Sequence, residues 1–147
     1  REKEAEDGIL KSQRILLTWM IDDTNVLQQI RRVIRSDDFT EPLYRTVAEL
    51  LYQQMDEDSV NPAQIMNHFS DEEEHRKVAE LFHTKIRELT TREEQEKALN
   101  ETVRRVRQNS LDEAARKLEP TDIAGLQKLM ADKRALQDAK GLHISII

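Results

Sequence analysis

An all-α fold is predicted by three observations: few turn-forming residues, apolar residues at three- and four-residue spacing, and capping residues ahead of the periodic stretches. The 147-residue chain holds only three Gly and three Pro, and Ala, Glu, Lys, Leu, Arg and Gln are abundant. These last are the residues that lose least on entering a helix. The expected architecture is a compact bundle of short helices over residues 9–108, then a C-terminal antiparallel helical hairpin with an apolar tail over residues 109–147. A long helix crosses that boundary. Residues 1–8, "REKEAEDG", are charged and lack an initiating Met, and read as the remnant of a linker from a longer polypeptide.

The first helix is expected over "ILKSQRILLTWMI", Ile9 to Ile21, where Ile15, Leu16, Leu17, Trp19, Met20 and Ile21 leave little polar face. A helix apolar on several sides belongs at the centre of a bundle. Asp23 or Thr24 can cap a second, in which Val26, Leu27, Ile30, Val33 and Ile34 keep 3–4 spacing. Thr40 and Pro42 open a third, striped by Leu43, Val47, Leu50 and Leu51. Phe39 and Tyr44 stand at the corner before it and are read as core plugs that set the angle between helices, the alternative being direct contact with a partner.

Asn61 and Pro62 start a short fourth helix with Ile65, Met66 and Phe69 facing inward. Ser70 and Glu73 match a capping box for a fifth, burying Val78, Leu81, Phe82 and Ile86. Thr91 and Glu94 match another, and no breaker follows until Pro120. Such a helix would extend about 40 Å. Its apolar stripe changes face: Leu99, Val103 and Val106 lie on one side, and Leu111, Ala114 and Leu118 nearly a quarter-turn away. Its first part is expected to bury against the bundle and its second against another helix, with either a soft point near Asn109 and Ser110 or a gently curved, continuous helix through them. Thr121 caps that last helix, striped by Ile123, Leu126, Leu129, Met130 and Leu136, and Gly141 is a natural stop.

Composition excludes several functions. With no Cys there is neither a disulfide nor a Cys-ligated zinc, and a net charge of −6 argues against a general nucleic-acid surface. No apolar run approaches the roughly 18–20 residues of a membrane span. The clusters Arg31/Arg32/Arg35 and Arg104/Arg105/Arg107 have acidic neighbours and no interleaved aromatics, so they read as solvated helix faces. Glu72 with His75 and Glu80 with His83 form two Glu-x-x-His motifs. Di-metal bundles place such motifs on facing helices; here both lie on one helix, about 12 Å apart, and are read as surface His. No phosphate loop or nucleophile motif is present. The chain reads as a binding module without catalysis and without a cofactor of its own.

The stretch "RILLTWMIDDTNVLQQIRRVIRSDDFTEPLYRTVAELLYQQ" resembles the helical domain shared by DnaG-type primases at their C-terminus and DnaB-type replicative helicases at their N-terminus. In both, an aromatic-containing corner leads into a helix beginning near Pro and followed by a basic residue, here Phe39, Pro42, Tyr44 and Arg45. "VNPAQIMNHFSDEEEHRKVAELF" and the closing hairpin look like the primase version. The resemblance implies a cytoplasmic domain of bacterial DNA primase that docks on the N-terminal domains of the hexameric replicative helicase. It would recruit RNA primer synthesis to the replication fork and stimulate the helicase. The zinc and magnesium of that DNA-directed RNA polymerase belong to upstream domains absent from this chain. The alternatives are a ring-forming helicase N-terminal domain or an unrelated helical adapter.

The helicase is expected to meet Leu126, Leu129, Met130, Lys133 and Leu136 on the hairpin. The tail would add Leu142, Ile144, Ile146 and Ile147. The tail departs from the charged endings of the family. Its alternation looks strand-like without a sheet to join, so it would fold back on the hairpin, bind the partner or stay disordered until binding. The resemblance also implies a contact with the acidic tail of single-stranded-DNA-binding protein, for which Lys11 and Arg14 are the candidates. Direct binding to nucleic acid would be weak.

Overall fold

The computed structural model describes residues 2–83, 91–138 and 143–146, with side chains from Gly8 onward. Among these, the chain forms six α-helices and no strand. They are α1 (Glu2–Asp22), α2 (Thr24–Arg31), α3 (Pro42–Asp56), α4 (Glu72–His83), α5 (Arg92–Lys117) and α6 (Ile123–Gln137). Two 3-10 helices, Ser36–Asp38 and Pro62–His68, fill the turns before and after α3. The second of these is the short helix expected after Asn61 and Pro62. The expected all-α fold with a closing hairpin is therefore the one observed.

Helix α1 is the axis of the body and packs against α2, α3, α4 and α5. Leu16, Leu17, Trp19 and Met20 are all buried, as is Phe39 at the corner. Tyr44 is only half-buried, so it edges the core where Phe39 fills it. Tyr52 is buried too, and its hydroxyl donates to the Ile34 carbonyl at 2.8 Å, giving the end of the second helical stretch the partner its own geometry lacks. The backbone is helical from Glu2 onward, so α1 begins ahead of the expected Ile9, consistent with the helix-forming Lys3, Glu4, Ala5 and Glu6.

Carboxylates do most of the capping. Asp23 Oδ1 accepts from Asn25 N at 2.9 Å and Val26 N at 3.2 Å, and Thr91 Oγ1 accepts from Glu94 N at 3.1 Å, both as expected. Three other caps sit one residue later than the sequence suggested. Glu41 replaces Thr40, Asp71 replaces Ser70, and Asp122 replaces Thr121. In each case an acidic side chain holds the position from which it reaches a free N–H of the first turn. Asn61 makes no side-chain cap. Helix α3 ends in a Schellman turn: Asp58 takes φ 53°, Ser59 N donates to Gln54 O and Asp58 N to Met55 O. The predicted positions of Ile86 and Gly141 lie outside the described residues.

Candidate functional site

The second half of α5 and all of α6 form an antiparallel hairpin that carries its own small core. Arg104 Nη1 donates to the Leu136 carbonyl, Lys133 lies 3.9 Å from Asp112, and a Cβ built on Gly125 would meet Leu118 Cδ1 at 2.7 Å. Residues late in α5 thus face residues early in α6. The glycine lets the two helices close at the turn. Leu111, Leu129 and Leu136 are buried together, with Val33, Ala115 and Leu118 against them. Ala115 takes the place expected of Ala114, which is exposed.

A buried carboxylate fastens this arm to the body. Asp38 Oδ1 accepts from Arg107 Nη1 and from Ser110 Oγ, both at 2.7 Å, while Oδ2 accepts from Arg35 N at 2.8 Å. Arg107 also reaches Asp132 on α6 at 3.6 Å. Asn109 Nδ2 donates to Thr40 Oγ1 at 3.3 Å. Asn109 and Ser110 are hydrogen-bonded to the corner, and the helix runs through them unbroken, as in the continuous alternative. The expected domain boundary at 108/109 therefore falls inside a continuous helix, although the buried clusters do divide near it.

The first half of α6 carries three large apolar side chains on its outward face. Ile123 is 68% exposed, and Leu126 and Met130 are each 47% exposed. At 100° per residue the three fall within about 60° of one another, on one stripe. No family model matches the chain, and neither a curated protein nor a solved structure is significantly similar to it. What the stripe can do therefore rests on its own chemistry and geometry.

Of the residues expected to meet a partner, Leu126 and Met130 are exposed, and Lys133 lies half-buried beside them. Leu129 and Leu136 are not available, because they fill the hairpin's core. Nor is Ile144, which is 1% exposed and belongs to the core of the body; Ile146 packs partly on the same core. The described part of the tail, His143–Ile146, thus folds onto the body and not onto the hairpin. Leu142 and Ile147 lie outside the described residues. Ile123 had been noticed only as part of the stripe. Its position three residues before Leu126, directly after the Asp122 cap, was the signal that could have marked it.

Lys11 is exposed and Arg14 half-buried on α1. Burial raises the Tyr44 phenol above its ordinary value, an effect that the nearby Arg14 charge opposes. The basic clusters are less solvated than expected. Arg107 is tied to Asp38, Arg104 to the Leu136 carbonyl, and Arg31 to Asp56 at 2.7 Å, whereas Arg32, Arg35 and Arg105 are exposed. His75 and His83 are exposed on α4. Among the described residues, no group of three His, Cys, Asp or Glu is placed to hold a metal ion. Among the same residues, no helix is long and apolar enough to cross a membrane.

Proposed function

We propose that this chain is the non-catalytic helicase-docking domain of a bacterial primase, which binds the N-terminal domains of the hexameric replicative helicase through the outer stripe of α6. The observation that carries this reading is the exposure of Ile123, Leu126 and Met130 on an arm whose Leu111, Leu129 and Leu136 are already buried together. Aligned large apolar side chains are costly in water, and at helical spacing they suit a partner's groove. The polar rim is supplied by Lys133 and by the exposed Gln127 and Arg134. In this reading primer synthesis belongs to other domains of the parent polypeptide, and the docking domain brings them to the fork.

The experiment is co-elution of the chain with the replicative helicase of the same bacterium, compared with a Leu126→Asp/Met130→Asp variant. Burial of two such side chains is worth about 1.5–3 kcal/mol each, so the variant is expected to lose about a hundredfold or more in affinity. Undiminished binding by the variant would move the interface off α6. Absence of any complex with the parent chain would reject the helicase reading, and ring-forming self-association would favour a helicase N-terminal domain in its place. Lys11 with Arg14 is the proposed contact for the acidic tail of single-stranded-DNA-binding protein. Binding of that tail unaffected by Lys11→Glu/Arg14→Glu would dismiss it.

A further inference from the structure

Residues His143–Ile146 form neither helix nor strand, yet from Ile144 to Ile146 the backbone is hydrogen-bonded as completely as that of a strand inside a sheet. The partners are side chains. Gln29 on α2 donates through Nε2 to the Ser145 carbonyl at 2.7 Å and accepts at Oε1 from Ser145 N at 2.8 Å. Asn100 on α5 does the same for Ile144: Oδ1 accepts from its N–H at 2.7 Å, and Nδ2 donates to its carbonyl at 2.9 Å. One turn earlier, Glu96 Oε1 accepts from Ile146 N at 2.8 Å, and a turn earlier again Arg92 Nη2 donates to the Ile146 carbonyl at 2.8 Å. Ile144 and Ile146 therefore turn both backbone groups toward α5, and Ser145 turns both toward α2. That two-residue alternation is the hydrogen-bonding pattern of a β-strand.

We infer that the groove between α2 and α5 is a receptor for a strand-like segment of a partner polypeptide bearing branched aliphatic residues at alternate positions, with His143–Ile146 as its occupant in cis. Every one of the six hydrogen bonds reads the main chain, so the groove is tolerant of sequence, as in strand addition to a sheet edge. Selectivity comes from a single pocket, where Ile144 is sunk to 1% exposure. Polarity is set at one end, where Arg92 meets a carbonyl and Glu96 meets an N–H and, at 3.7 Å, His143 Nε2. Val26, Leu27 and Ile30 of α2 and Leu99 and Val103 of α5 are buried in the same core that receives Ile144. Release of the segment would leave Gln29, Asn100, Glu96 and Arg92 at a surface where water can replace the bonds. This site uses different helices from the α6 stripe and stands or falls separately from the helicase reading.

The test uses the full chain carrying Ile144→Asp/Ile146→Asp, which evicts the cis segment, and a fluorescein-labelled synthetic peptide LHISII as the strand probe. If this variant retains cooperative melting, it should bind the probe saturably, with the parent chain about tenfold or more weaker because its own segment competes at high effective concentration. Adding Gln29→Ala/Asn100→Ala should lower the variant's affinity by about tenfold or more. A folded variant that fails to bind the probe overturns the proposal, as does equal binding of a control peptide with Asp at the first Ile. Hydrogen exchange on the parent chain supplies a check that needs no variant. The amides of Ile144, Ser145 and Ile146 should exchange about a hundredfold or more faster than those of Leu99 and Val103. Equal rates would make the segment an inseparable part of the core. If the parent chain forms dimers that the evicted variant does not, the groove belongs to the segment of a second copy, and the partner proposal fails.

Discussion

The body and the arm are built from the same residue types and yet differ in how completely they satisfy themselves. In the body, α1 is surrounded by four other helices, and large side chains such as Leu16, Leu17, Phe39 and Leu51 are wholly buried. In the arm, two helices share a core of Leu111, Leu129 and Leu136, while Ile123, Leu126 and Met130 remain in solvent. Two helices in contact can each bury only one stripe. The difference therefore separates the part of the chain that makes the fold from the part with apolar surface left to offer. The arm is held in place by a polar fastening at Asp38 as much as by apolar contact.

The comparison would break most visibly at Trp19. It is 6% exposed, and Trp19→Ala should cost about 3–5 kcal/mol, the usual range for truncating a large core side chain. The loss should appear as a lowered midpoint in thermal or urea unfolding of the whole chain. A midpoint within a few degrees of the parent's would mean that the body's core does not rest on α1.

At the joint, Asp38→Ala would leave the guanidinium of Arg107 and the hydroxyl of Ser110 without their acceptor, in a place where Asp38 itself is 2% exposed. The expected cost is about 2–4 kcal/mol, because stranded donors lose more than a hydrogen bond is worth. Asp38→Asn keeps an acceptor oxygen for one donor and should cost less. Amide exchange in α6 should quicken in both variants, in the same order. If exchange in α6 stays unchanged, the arm is held by its apolar contacts alone.

A smaller and more local effect is expected from Leu129→Ala in the arm, about 2 kcal/mol at the low end for such truncations, since Leu129 is still 9% exposed. Protection should fall in α6 and in the last turns of α5, with α1–α4 unaffected. Spread of the loss through the body would show that arm and body unfold as a single unit, and the contrast between them would lose its meaning.

The body was readable from sequence because its signals repeat. A stripe such as Val26, Leu27 and Ile30 sums over several turns, and stray residues do not hide it. Caps were readable to within one residue, since neighbouring Ser, Thr and Asp all have suitable oxygens and only geometry selects among them. The arm was half readable. Its stripe was visible, but which members face α5 depends on how the two helices cross, so Leu129 and Leu136 were assigned outward when they point in. The Asp38 fastening was illegible: "SDDF" looks like a solvated turn, and its partners lie 69 and 72 residues away. The site of Ile144 was hidden for another reason. Alternation in "LHISII" implied a strand, and nothing in a helical chain announces that Gln29 and Asn100 would serve as the sheet's edge.

The smallest effect belongs to the far rim of the body, where Arg31 on α2 joins Asp56 at the end of α3. Their atoms are 2.7 Å apart, and the guanidinium also donates to the Tyr52 carbonyl at 3.3 Å and lies 5.2 Å from the Tyr52 ring centre. The hydrogen bond from Arg31, ahead of its simple charge, holds the Asp56 carboxyl below its ordinary value of 3.8. A carboxylate depressed in the folded state stabilises at pH values above its unfolded pKa and loses that contribution as acid protonates it. Stability from this pair should thus be full at neutral pH and vanish as the pH falls below 3.8 and through the lower folded value. Asp56 is open to water, so the pair is screened, and Asp56→Asn should lower the melting midpoint at pH 7 by no more than about 2 °C. The gap should shrink in roughly 0.5 M salt. It should also close in acid, where the parent chain loses the same charge. A gap that persisted in acid would show that the charge of the Asp56 carboxylate is not what the substitution removes, and the ion pair would then not be the source of the stabilisation.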